Sequence, residues 1–277
     1  MTVFGAILIG LVHGVCEMLP LSSSGHIAAV GRFFDVPLTG GTHLFFDFLL
    51  HVGTLSAVCV VYWQEILQMV NEGLGVFNLG PLTGQKRQHY PAARQLLMIG
   101  IATLPLIYIL FVWKYLAALY SNTYFVGICM VLSGFLIFTG SRIEDGRKTG
   151  GNMSVLDALI IGICQSVSAI PGISRTAAAV SAGRAVGLRP DYAVRFSFLL
   201  YIPAAFGYVI LDLVNAVKAG IDWHLLPAYL VGTAASIVSS VFILYMFKKI
   251  TDRDKIGNLS YYCWIMGVLI IILTMIF

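Results

Sequence analysis

The sequence predicts an all-α polytopic membrane protein: six transmembrane helices plus two re-entrant helical hairpins, arranged as an inverted-topology repeat. Three observations carry that expectation. The 277 residues are 58% hydrophobic and only 11% charged, with mean hydropathy +0.88, far more apolar than a soluble domain. Six stretches are apolar over the roughly 18 or more residues a bilayer crossing needs. Two further apolar stretches are broken near their centres by proline and polar residues.

The first broken stretch, about 3–36, is interrupted by Pro20 and Ser22-Ser23-Ser24. A helix broken at that depth cannot satisfy its freed backbone groups against lipid, so it must be buried in protein or line a wet cavity. The stretch lacks a basic n-region and runs straight into a polar segment, so no signal cleavage is expected. Spans come next at about 45–63, 95–113 and 122–141. The second broken stretch, about 157–188, is interrupted at Pro171-Gly172, and further spans lie at about 196–215, 227–247 and 258–277. The chain thus divides into two repeats, 1–141 and 142–277, within one integral membrane domain.

Internal similarity supports the division. Ala6-Ile7-Leu8-Ile9-Gly10 matches Ala158-Leu159-Ile160-Ile161-Gly162, His13 falls opposite Gln165, and Pro20 falls opposite Pro171. Phe46-Asp47-Phe48-Leu49-Leu50-His51 matches Phe196-Ser197-Phe198-Leu199-Leu200-Tyr201 at nearly the same offset. Charge then orients the halves. Lys86, Arg87 and Arg94, then Arg142, Arg147 and Lys148, then Arg184, Arg189 and Arg195, and finally Lys248, Lys249, Arg253 and Lys255 mark one side as cytoplasmic. The first hairpin enters from outside, the second from the cytoplasm, and both termini lie outside. Inverted repeats whose broken helices meet at the midplane are built like transporters. The net charge of +4 sits in these short clusters, which fits membrane loops and not a nucleic-acid surface. Five cysteines are scattered through apolar runs without C-x-x-C spacing, which makes them small buried hydrophobes.

Polar groups at membrane depth are costly, so those present point to function. His13 and Glu17 are four residues apart and share one helix face, and Asp47 and His51 repeat that spacing. A buried carboxylate that stays ionised needs a cation, which a divalent metal or Arg175 can supply. H-x-x-x-E is not the H-E-x-x-H pattern of zinc proteases, so zinc is not expected. Ser22, Ser23, Ser24 and Gly25 come after a proline and open a second helical arm, offering hydroxyls and free N–H groups to an anion. A plain helix cap accounts for one of those serines, not for three with His26 behind them. On the other break, Ser174, Arg175 and Thr176 add hydroxyls and a guanidinium, whose planar fork matches phosphate. Carboxylates, imidazoles, hydroxyls and an arginine converging from two sides suit a phosphorylated molecule with an apolar tail.

Residues 17–26, Glu-Met-Leu-Pro-Leu-Ser-Ser-Ser-Gly-His, and Pro171-Gly172-Ile173-Ser174-Arg175 resemble the two signature motifs of the undecaprenyl pyrophosphate phosphatase family of the bacitracin-resistance type. The resemblance extends through 46–60 and the overall hydropathy. It implies an inner-membrane, multi-pass hydrolase that converts undecaprenyl pyrophosphate to undecaprenyl phosphate and inorganic phosphate. That reaction recycles the lipid carrier for peptidoglycan, and hence supports cell-wall biogenesis, cell shape and bacitracin resistance. It also implies a Mg2+ or Ca2+ cofactor and a site open to the external face. By the same resemblance Glu17, Ser23, His26 and Arg175 are the catalytic candidates, with Ser23 or His26 as nucleophile or proton-transfer group. Ser22, Ser24, Ser174, Arg175, Thr176, His13 and His51 are the candidate substrate contacts, and Glu17 with Asp47 the candidate metal ligands. Partners are then the polyprenyl pyrophosphate lipid and the bilayer, with no nucleic acid; a homodimer stays open. The sequence departs from the family pattern in two places. His13 stands where Glu or Gln is usual, and Arg175-Thr176-Ala177-Ala178-Ala179 replaces R-S-G-A-T. The alternative reading is a transporter or flippase of polyprenyl phosphate lipid, alone or alongside hydrolysis. A third is a secondary transporter for a small phosphorylated anion.

Overall fold

A computed structural model describes residues 1–33, 43–79, 90–249 and 253–276 of the chain. Lys86 and Arg87, the last residues of the first expected hairpin and the side chains of Arg253 and Lys255 lie outside the described residues. The described residues form eleven α-helices: α1 (Val3–Met18), α2 (Ser23–Phe33), α3 (Leu44–Val61), α4 (Trp63–Val76), α5 (Pro91–Leu119), α6 (Thr123–Arg142), α7 (Val155–Val167), α8 (Arg175–Ala185), α9 (Pro190–Ala219), α10 (Leu226–Lys249) and α11 (Arg253–Ile276). Among the described residues, six helical stretches are long and apolar enough to cross a membrane: Leu44–Val61, Pro91–Ile109, Thr123–Arg142, Pro190–Ala219, Trp223–Lys249 and Ile256–Ile276. They coincide with the six spans expected from sequence. The all-helical, multi-pass membrane class is therefore what the chain adopts. Helix α4 is an addition to those expectations: it lies beyond the first expected span, which ends at 63, where the sequence suggests no further element.

The two breaks have local causes. Leu19 precedes Pro20, and a residue before proline is pushed out of the helical region; Leu19 is extended, with φ −86° and ψ 157°. Ser22 then takes φ +65°, a left-handed conformation rare outside glycine. Its hydroxyl accepts from Gly25 N at 3.3 Å and so caps α2. In the second half, a Ser154–Asp157 capping box starts α7. Pro171 ends the run, and Gly172 turns the chain at φ +92°. A side chain at Gly172 would strike the Val126 carbonyl and come within 2.7 Å of Cys129 Cβ, so glycine is required twice over. Ser174 caps α8 by accepting from Ala177 N at 3.3 Å.

Small residues let these short helices pack closely on the spans, as in membrane interiors generally. Gly10 of α1 abuts the Gly232 backbone of α10, and Gly14 abuts Ser236 and Ser239. Gly162 of α7, the residue matched to Gly10 in the internal similarity, abuts the Ala102 backbone of α5. Helix α3 packs on α9, and α6 packs on α11. One end of the bundle gathers basic side chains. There Arg94 donates to Met153 O at 3.0 Å, Arg184 pairs with Asp145 at 3.0 Å, and Lys148 pairs with Asp157 at 2.9 Å. Lys248, at the same end of α10, pairs with Glu65 at 3.0 Å.

Candidate active site

The two breaks touch. Gly172 N donates to Ser24 Oγ at 3.0 Å, across 148 residues of sequence. Ser133 of α6 stitches the second turn in place, donating to Gly172 O at 2.9 Å and accepting from Ser174 N at 2.8 Å. Each turn therefore has backbone amides partnered by serines, which is what a break remote from bulk water requires.

The first residues of the arms form one polar cluster. Glu17, in the last turn of α1, accepts from Ser23 Oγ at 2.5 Å on one carboxylate oxygen. Its other oxygen pairs with Arg175 Nη2 at 3.3 Å, and the Glu17 carbonyl lies 3.4 Å from the same nitrogen. Arg175 is only 8% exposed, and its guanidinium lies 3.8 Å above the Tyr201 ring. The Tyr201 hydroxyl meets Thr54 Oγ1 at 2.7 Å, which ties the platform to α3. Arg175 Nε and Nη1 are buried without a partner. Orphaned guanidinium donors in a buried site are costly unless a ligand meets them.

A second group of side chains adjoins the first. His51 Nδ1 lies 2.8 Å from Asp212 Oδ2, and the His51 ring meets the His13 ring edge-on at 5.2 Å. Asp47, in the first turn of α3, lies one helical turn before His51. His51 thus bridges α1 and α9, through the His13 ring and Asp212. His13 Nδ1 is buried and unpartnered, as is Thr176 Oγ1. His26 is placed differently. Its Nδ1 lies 2.8 Å from the Ser22 carbonyl and its Nε2 2.8 Å from Tyr262 OH. A neutral ring so held donates from Nδ1 and accepts from the tyrosine on Nε2. His26 meets the turn through Ser22, whereas Ser23 meets Glu17 directly. Ser22 Oγ and Ser24 Oγ lie 3.3 Å apart, and Ser174 is occupied as a helix cap.

Tyr201, Tyr262, Thr54 and Asp212 carry contacts in this region that sequence reasoning does not assign. Asp212 has a legible signal, as an acid inside an apolar span. Tyr201 is matched to His51 in the internal similarity, but nothing in that match gives it a role.

Among the described residues, no three His, Cys, Asp or Glu side chains converge as a ligand set for a metal ion. Glu17 and Asp47 nevertheless offer hard carboxylate oxygens, the donors Mg2+ and Ca2+ prefer. Mg2+ commonly takes one or two carboxylates and completes its shell with substrate phosphate oxygens and water. Glu17 is already engaged by Ser23 and Arg175, so a cation here would depend on substrate phosphate oxygens and not on an all-protein cage.

A family model described as "Bacitracin resistance protein BacA" matches residues 6–269. The chain belongs to the BacA family. Relatives match it end to end. A protein of Alkaliphilus metalliredigens named undecaprenyl-diphosphatase is 33% identical, covering 99% of this chain and all of the relative. One of Methanosphaera stadtmanae with the same name is 30% identical over 99% of each chain. One of Halothermothrix orenii, also so named, is 30% identical over the whole of both. Residues 17–26 and 171–175 both lie inside the matched region, and they are the segments that meet at Ser24 and Gly172.

Proposed function

We propose that this BacA protein hydrolyses undecaprenyl diphosphate to undecaprenyl phosphate and inorganic phosphate, as the names of its relatives say of them. The observation that carries the proposal is the convergence of Glu17, Ser23 and Arg175 from two separate helix breaks. The diphosphate enters between the turns and takes the open Nε and Nη1 donors of Arg175, which the Tyr201 ring and Glu17 hold in one plane. A guanidinium fixed in advance stabilises charge developing on transferring phosphoryl oxygens without reorganisation. Ser23 already donates to Glu17, so Glu17 accepts its proton as Ser23 Oγ attacks the terminal phosphorus. The bond from that phosphorus to the bridging oxygen breaks and undecaprenyl phosphate leaves; water then cleaves the phosphoserine. In the direct variant, Ser23 and Glu17 orient a water that attacks instead. His26 and His13 serve as proton carriers for the leaving and entering oxygens.

Charge balance supports a divalent cation. Glu17 already pairs with Arg175, and the substrate adds further negative charge. Glu17 and Asp47 would hold Mg2+ or Ca2+, and such an ion neutralises phosphate oxygens. The inverted arrangement is supported by exchanged packing: α1 lies on α10 as α7 lies on α5, through the matched glycines Gly10 and Gly162. In this reading α1–α2 and α7–α8 are re-entrant hairpins of two repeats, 1–141 and 142–277. The collected basic end faces the cytoplasm and the site opens to the external side of the inner membrane. Carrier recycling and bacitracin resistance are consequences of the reaction. Lipid translocation, the alternative, gains nothing from the relatives' names.

The test is phosphate release from undecaprenyl diphosphate by detergent-purified protein, with and without EDTA. Release that falls with EDTA, and falls at least roughly 100-fold in Arg175→Ala or Glu17→Gln, is expected. An inactive wild-type protein, or full activity in those variants, overturns the assignment.

A further inference from the structure

Helix α4 takes no part in the chemistry and is not among the six spans. It begins two residues after the span α3 ends, with only Tyr62 between. Trp63, Leu67, Val70, Leu74 and Phe77 recur every three or four positions. At about 100° per residue they cover about 80° of the helix circumference. All five are between 39% and 75% exposed, so the described residues leave the stripe largely open. The opposite face is fixed to the bundle. Glu72 is buried and accepts from Ala92 N at 2.7 Å and Ala93 N at 3.2 Å, capping α5. Glu65, the other carboxylate of α4, is paired with Lys248 at 3.0 Å.

These contacts also set the depth. Glu72 meets the first turn of α5, where the span Pro91–Ile109 begins. Lys248 closes the last turn of α10 and lies 4.6 Å over the Tyr62 ring. The junction is therefore level with the ends of two spans, and it carries Tyr62 and Trp63, residues that favour the membrane–water boundary. We propose that α4 is an interfacial helix, lying in the headgroup layer of the leaflet at the basic end of the bundle, with its apolar stripe in the acyl boundary. The partner is the lipid surface itself. Most interfacial helices add a basic face that attracts anionic lipid; α4 has no lysine or arginine. Its two carboxylates are turned inward against α5 and Lys248. Its seating therefore rests on apolar burial and is indifferent to lipid charge.

The test uses the full chain in nanodiscs of phosphatidylcholine, with and without a quarter phosphatidylglycerol. Single cysteines at 67, 70, 74 and, as controls, 64 and 71 are introduced after the five native cysteines are replaced, then spin-labelled. Expected is collision with oxygen favoured over a water-soluble nickel complex at 67, 70 and 74, and the reverse at 64 and 71. Adding phosphatidylglycerol should leave the pattern unchanged. Nickel access at the stripe would place it in water, and protection from both reagents would place it against protein, such as a second copy; either overturns the proposal. Should the cysteine-free chain fail to fold, quenching of Trp63 by brominated lipid, with Trp113, Trp223 and Trp264 changed to Phe, gives the same reading. Quenching is expected there, and its absence contradicts the proposal.

Discussion

Arg175 is held by two different forces, an ion pair to Glu17 and a ring beneath it. A desolvated cation–π contact contributes about 2 kcal/mol, enough to decide the plane of the guanidinium. Tyr201→Leu removes the ring and is expected to lower kcat/KM for undecaprenyl diphosphate about tenfold. Tyr201→Phe keeps the ring, gives up only the Thr54 bond, and is expected to stay within about threefold. Equal loss in both variants would remove the platform role. Asp212→Asn replaces the charge that holds His51 Nδ1; a drop of about tenfold or more in kcat, with an unchanged melting temperature, is expected. Full activity would show that the His51 orientation is idle.

At this scale legibility is uneven, for physical reasons. Glu17 and Arg175 stand out because ionised groups are rare in apolar sequence. Tyr262 does not: its bond to His26 crosses 236 residues, and a tyrosine in a span is ordinary. Tyr201 acts through the face of its ring, which no spacing rule reports.

Helix ends explain what is and is not visible in the elements. Pro20 and Pro171-Gly172 announce both breaks, because proline and glycine act on the backbone directly. The apolar centre of each span is equally plain. Its ends are not: α5 runs 29 residues from Pro91 to Leu119, beyond the apolar stretch expected at 95–113. Helix α4 escapes because its apolar positions continue the preceding span, and only the turn at Tyr62 separates them. The glycine turn gives a direct check on element packing. Gly172→Ala puts a methyl group against the Val126 carbonyl and Cys129, at a residue with φ +92°. A loss of about 1–3 kcal/mol is expected, read as a lower melting temperature in detergent. Gly207→Ala, where nothing lies within 4 Å of the added carbon, is the control and should leave the melting temperature nearly unchanged. Equal effects of the two would contradict the packing of the second turn on α6.

Across the whole molecule, the short broken helices are carried by spans from the opposite half of the chain in the case of α1 on α10, and of α7 on α5. This interlocking brings Ser24 to Gly172 and Glu17 to Arg175. The sequence does not reveal which span receives which arm, because that packing is decided by backbone contacts such as Gly10 on Gly232 and Gly162 on Ala102. The orientation can be checked by membrane-impermeant thiol labelling in intact cells, after the native cysteines are replaced. Cysteine at 121 or 221 should label from outside, and cysteine at 147 only after the membrane is opened. The opposite pattern would reverse the topology and move the site to the other face.

The most direct measurement is a double-mutant cycle on phosphate release, using Glu17→Gln, Arg175→Ala and the pair together. If the two breaks build one site, the losses overlap, and the double variant is no worse than the poorer single one within about threefold. If the logarithmic losses simply add, the acid and the arginine act apart, and the shared site at the meeting of the two turns is contradicted.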